Sequence, residues 1–65
     1  MAEINTICES VINGQFKQAK EQIQKGCKTK PELQAVRLSN VMAHLSSFYE
    51  CAGTAERFKR IYQEL

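Results

Sequence analysis

Cys8, Cys27, Cys51 and His44 are the thiol and imidazole side chains of this 65-residue chain. Their types are those of a structural zinc site, and a Cys–His pair is also the core of a thiolate nucleophile. Their spacing supports neither chemistry. The three cysteines are an odd number without paired spacing. In a helical hairpin turning near residue 28, Cys8 lies opposite residues close to 49 and so approaches Cys51. Cys27 then sits at the turn, about 28 Å away along the axis at ~1.5 Å per residue. Tetrahedral zinc needs every ligand about 2.0–2.3 Å from one point. The cysteines are therefore read as small buried apolar residues. His44 and Cys51 are seven residues apart, and Arg37 stands seven before His44. All three flank one helical stripe, with no Gly-rich loop or oxyanion site beside them. They are read as packing at the edge of an interface, and no enzymatic activity, metal or cofactor is expected.

The basic residues are the other group with potential chemistry. Nine Lys and Arg against seven Asp and Glu give a formal charge of +2, too mild to demand a nucleic-acid partner. Lys17–Glu21, Glu21–Lys25, Glu56–Arg60 and Arg60–Glu64 are spaced i, i+4, so much of the charge is compensated locally on solvated helix faces. Lys25, Lys28 and Lys30 remain clustered around a turn, with Lys20 one to two turns away. These four lysines are the candidate nucleic-acid contact. The chain has no zinc-finger spacing, no aromatic RNA-binding motif and no helix-turn-helix pattern.

Positioning these groups falls to helices. Ile4, Ile7, Cys8, Val11, Ile12, Phe16, Ala19 and Ile23 recur at spacings of three and four, which predicts an amphipathic helix over about 2–25. Asn13-Gly14 is a potential turn inside it, but the stripe keeps its phase across that dipeptide, which favours one helix. Gly26 is a candidate left-handed stop. A turn over 26–30 follows. Thr29 with Glu32 has capping-box spacing, and Pro31 suits a first turn. The second helix is predicted over about 31–52. Beyond it, Phe48, Cys51, Ala55, Phe58, Tyr62 and Leu65 form one three-four series through Gly53. The helix therefore either continues to about 64 or breaks at Gly53, with Thr54 as an alternative cap. The predicted fold is all-α: a single small domain built as an antiparallel helical hairpin, with or without a short third helix after Gly53.

Leu38–Tyr49 contains no Lys, Arg, Asp or Glu, although 25% of the chain is charged. Leu38, Val41, Met42, Leu45, Phe48 and Tyr49 share one broad face, while Asn40, Ala43 and Ser47 make the other small and uncharged. A helix without charge all round is usually covered on more than one side. A two-helix chain has too little else to cover it, so a homodimer through this segment is expected. Leu38, Val41, Met42, His44, Leu45, Phe48 and Tyr49 are its candidate protein-interface residues.

Gly14-Gln15-Phe16-Lys17-Gln18-Ala19, followed by Ile23, resembles the inter-helix region of a tetratricopeptide repeat. A period of about 34 residues would bring the next glycine to position 48, where Phe48 stands, so the pattern occurs once. In size, helical content and absence of a catalytic motif the chain also resembles small helical accessory proteins of lambdoid bacteriophages. That resemblance implies regulatory binding to a host factor. Met1-Ala2-Glu3 has no secretory character, and no apolar run approaches the ~20 residues of a membrane span. The expectation is a cytoplasmic, non-enzymatic interaction protein that binds a protein partner through apolar helix faces. A nucleic-acid-binding regulator using the lysine-rich turn is the alternative.

Overall fold

Two glycines and one glutamate in the left-handed backbone region, Gly14 (φ 79°), Gly26 (φ 81°) and Glu50 (φ 53°), mark where the chain changes direction. The computed structural model describes residues 3–65 as four helices: α1 (Ile4–Ile12), α2 (Phe16–Gln24), α3 (Pro31–Ser47) and α4 (Ala52–Tyr62). The fold is all-helical among the described residues.

The single first helix expected over 2–25 is two helices, and residue 2 lies outside the described residues. At the break, Gly14 N–H donates to the Val11 carbonyl at 3.0 Å and Gln15 N–H to that of Ser10 at 2.8 Å. Together these close a Schellman motif, whose left-handed position costs glycine least. The periodicity hid this break because both helices turn their stripes to the same core. Ile7, Cys8 and Val11 of α1 and Ala19 and Ile23 of α2 are all buried there. Buried Ser10 ties the pair, its hydroxyl lying 3.0 Å from Gln22 Oε1 of α2 and 3.2 Å from the Thr6 carbonyl, with one proton to share between them.

Gly26 ends the α2 segment as the sequence suggested. Lys25 (φ −60°, ψ 119°) and Gly26 form a type II turn, closed by Cys27 N–H on the Gln24 carbonyl at 2.9 Å. A second bond, Lys30 N–H to the Cys27 carbonyl at 2.9 Å, delivers the chain to Pro31 in the first turn of α3. The N-cap is Lys30, and no side chain caps this end. The Thr29–Glu32 capping box is thus one residue out of register, with Glu32 at the second helical position instead of the third.

The second expected helix is also divided, and not at Gly53. Helix α3 ends at Ser47, α4 starts at Ala52 with Cys51 as its N-cap in place of Thr54, and Gly53 lies in the first turn of α4. Tyr49 N–H reaches the His44 carbonyl at 3.3 Å, and Cys51 N–H reaches that of Leu45 at 2.8 Å. This wide closure places Glu50 in a conformation that crowds any Cβ. Replacing Glu50 by glycine is expected to raise stability by about 1 kcal/mol, read as a higher denaturant midpoint at unchanged slope.

These three corners fold the chain around one core. Val41 and Leu45 of α3 and Ala55, Phe58 and Tyr62 of α4 complete the cluster begun by α1 and α2. Phe58 is at its centre. Its ring lies 5.4 Å from that of Phe16 and 5.6 Å, edge-on, from that of Tyr62. The antiparallel hairpin gives way to a four-helix arrangement because four short helices, unlike two long ones, can surround the inner face of α3 within one chain.

Candidate interaction face

Helix α3 divides the uncharged segment between two environments. Val41 and Leu45 point into the core, and Leu38, Met42 and Tyr49 are partly buried against it. Five of the seven expected interface residues thus pack on their own chain. Tyr49 also donates from its hydroxyl to Asn5 Oδ1 of α1 at 3.3 Å. Of the remaining two, His44 is half-buried and Phe48 is exposed. Their rings are 4.9 Å apart, and His44 Nδ1 lies 3.3 Å from the Asn40 carbonyl.

The opposite side of α3 carries Leu33, Val36, Asn40, Ala43 and Ser47, all exposed. Their spacing is three, four, three, four, the seam spacing of helices that pack side by side. Leu33 is 37% exposed, Val36 55% and Phe48 74%. Between these larger apolar side chains lie residues small enough for a second helix to approach closely. No charged side chain stands on the seam between Leu33 and Ser47. Beside its N-terminal end is an open depression of about 430 Å³ lined by Lys30, Pro31, Glu32 and Leu33. Sequence reasoning noted Asn40, Ala43 and Ser47 as the small face but missed Leu33 and Val36. The signal was available: Leu33 and Val36 extend the same spacing about two turns toward Pro31.

The lysines divide as well. Lys25, Lys28 and Lys30 are exposed around the α2–α3 corner, and Lys25 and Lys28 line a depression of about 280 Å³ with Glu21, Gln24 and Gly26. Lys20 turns the other way. Its ammonium donates to the carbonyls of Tyr62 at 2.7 Å and Leu65 at 3.0 Å, and lies 4.8 Å from the centre of the Tyr62 ring. It closes the carbonyl end of α4, where a cation is favoured. That removes Lys20 from the candidate phosphate contact.

Two side chains that sequence reasoning left without this role hold the α2–α3 corner. Arg37 Nη1 donates to the carbonyls of Ile23 at 3.1 Å and Lys25 at 2.6 Å. Gln34 Nε2 donates to those of Cys27 at 2.9 Å and Lys28 at 3.0 Å. Gln34 Oε1 in turn accepts from Gln24 Nε2 at 3.3 Å and from the Tyr62 hydroxyl at 3.4 Å. The first turns of α3 are therefore tied to both α2 and α4, which makes its outer face a supported surface.

The thiols are held separately. Cys8 Sγ faces the Val41 carbonyl at 3.7 Å, Cys27 Sγ that of Ile23 at 3.1 Å, and Cys51 Sγ that of Tyr49 at 3.2 Å. Burial, with Glu9 adding repulsion, pushes the Cys8 thiol above its ordinary range, away from the thiolate that nucleophilic attack or metal binding uses. Among the described residues no three His, Cys, Asp or Glu gather as a metal-holding group, and no helix is long and apolar enough to cross a membrane. Comparison with known protein families, with characterised proteins and with solved structures finds no match to this chain.

Proposed function

We propose that this chain is a small, non-enzymatic interaction protein whose binding surface is the outer face of α3. The observation that carries this reading is the exposed, uncharged series Leu33, Val36, Asn40, Ala43 and Ser47, flanked by Phe48. A helix at a solvated surface ordinarily presents charge outward, and α4 does so with Glu56, Arg57, Lys59 and Arg60. The outer face of α3 does not, and binding energy at such faces concentrates in a few large side chains. Phe48 and Val36 are those side chains here. Regulatory action on another protein, of the kind implied by the resemblance to phage accessory proteins, fits this reading. The exposed Lys25, Lys28 and Lys30 favour the second reading, phosphate contact at the α2–α3 corner.

One experiment separates the two. Wild type, Ala43→Arg and the triple change Lys25→Gln, Lys28→Gln, Lys30→Gln are used to capture partners from the native host, with and without nuclease. Each is also titrated with labelled duplex at two salt concentrations. Binding through α3 predicts a retained protein that survives nuclease and the triple change and is lost with Ala43→Arg. Phosphate binding predicts salt-sensitive affinity for duplex that the triple change flattens, at a slope of about 0.9 per lost contact. That outcome overturns the first reading.

A further inference from the structure

We infer that the α3–α4 corner is a hinge through which two copies of this chain exchange α4. In the exchanged dimer, residues 31–62 of each copy run as one continuous helix. The α4 part of that helix fills the place that the other copy's own α4 occupies when the chain is alone. The exchange does not use the outer face of α3, so it is independent of the binding surface proposed above.

The corner differs from the other two. Those place glycines, Gly14 and Gly26, in the left-handed region, whereas this one places Glu50 there at φ 53°. A Cβ is crowded in that conformation, and a continuous helix returns the residue to negative φ. Hydrogen bonding points the same way. No side chain caps α4, so the N–H groups of Ala52, Gly53 and Thr54 have no partner in the first turn. In a continuous helix they donate to the carbonyls of Phe48, Tyr49 and Glu50. The sequence also permits the straight form. Phe48, Tyr49, Glu50 and Cys51 include neither glycine nor proline, and Val41, Leu45, Phe48, Cys51, Ala55, Phe58 and Tyr62 are spaced four, three, three, four, three, four. Gly53 weighs against it, since a glycine well inside a helix costs more than one in a first turn. A short hinge that gains by straightening is the arrangement that favours exchange between copies.

The fold itself chooses the occupant. The place left by an opened α4 is shaped for Ala55, Phe58 and Tyr62, all buried in the closed chain. Phe16 meets the Phe58 ring at 5.4 Å, Lys20 donates to the Tyr62 carbonyl at 2.7 Å, and the Tyr62 hydroxyl reaches Gln34 Oε1 at 3.4 Å. A second copy carries the same α4 and forms the same contacts between chains. The exchanged dimer thus contains the closed chain's α4 packing twice over, and only the two corners change.

Concentration decides between the two forms. The hinge holds α4 beside its own core at an effective concentration of about millimolar, the order set by a short linker. The chain is therefore closed and monomeric in dilute solution, including that of a denaturant titration. Exchange needs chains that open together at about millimolar concentration. Once formed, the dimer separates slowly, because each α4 must leave a packed core before it can return to its own chain.

The test mixes isotope-labelled and unlabelled chain in urea and refolds them together over a range of concentrations up to about millimolar. Size-exclusion chromatography then isolates any dimer. The expected result is a dimer whose yield rises with refolding concentration and which persists on dilution. Isotope-filtered nuclear Overhauser spectra of that dimer should join Phe16 of one chain to Phe58 of the other. Glu50→Gly provides the second measurement. Glycine eases the closed corner and weakens the continuous helix, at both hinges of the dimer, so the association constant should fall about tenfold or more. Monomer alone at every refolding concentration overturns the proposal. A dimer in which the Phe16–Phe58 contact stays within one chain overturns the exchange of α4. A dimer formed equally well by Glu50→Gly overturns the corner as its hinge.

Discussion

Phe58→Ala is expected to abolish cooperative folding of this chain at room temperature. The side chain is wholly buried and is the largest one so enclosed. It packs against Phe16 on α2 and Tyr62 on its own helix, so its loss opens a cavity where α2 meets α4. Truncating a buried phenylalanine costs about 3–5 kcal/mol. A domain of this length holds roughly 3–10 kcal/mol in total, from about 0.05–0.15 kcal/mol per residue. The substitution therefore removes between about a third and all of what is present. The check is a urea titration followed by circular dichroism, with Phe48→Ala as the control. Phe48 lies 74% exposed, and its truncation should leave the midpoint within about 0.5 kcal/mol of wild type. A cooperative transition in Phe58→Ala close to that of Phe48→Ala would place the centre of the core elsewhere.

Helical content and most core positions were legible in the sequence because they depend on period. Ile7, Cys8, Val11, Ala19, Ile23, Val41, Leu45, Ala55, Phe58 and Tyr62 all belong to the three-four series and all belong to the core. The breaks between helices were less legible, for a different reason at each. At Gly14 a turn signal was present but was outweighed by an unbroken hydrophobic phase. Phase is blind to a corner when both arms pack on the same core. At Gly26 signal and phase agreed, and the turn lies there. At residues 48–51 no glycine or proline marks the corner, and Glu50 takes up the left-handed conformation instead. Tertiary packing sets that break, drawing Phe58 and Tyr62 back over α1 and α2. A local reading of Gly53 looked for the break just downstream of it.

The same distinction decides which face of α3 is available. A periodic stripe shows that a face is covered but not by what. Two long helices could not have covered both faces of an uncharged helix, so the inner face was assigned to a partner. Four short helices cover the inner face from within. The exposed remainder is the weaker stripe, made of smaller residues and lacking the length of apolar side chain that draws attention in a sequence. Arg37, Gln34 and Lys20 were hidden for a related reason. Each acts on backbone carbonyls distant in the sequence, from 6 residues for Gln34 on Lys28 to 45 for Lys20 on Leu65. Only the folded chain reveals such partners.

Leu45→Ala tests that division directly. Leu45 is wholly buried among α1 and α4 residues of its own chain, and its truncation should lower stability by about 2–5 kcal/mol. The size of the loss does not distinguish a residue of the monomer core from one at a subunit interface. Its dependence on protein concentration does. Stability drawn from association rises with concentration by mass action, whereas stability drawn from packing within one chain does not. Urea midpoints of wild type and Leu45→Ala, each measured at two protein concentrations a hundredfold apart, should not change with concentration for either chain. A wild-type midpoint that rises with concentration, and one that Leu45→Ala makes independent of it, would return Leu45 to an interface between copies. It would also mean that the inner face of α3 is closed by a second molecule and not by α1 and α4, and the outer seam would then lose its claim as the surface left open.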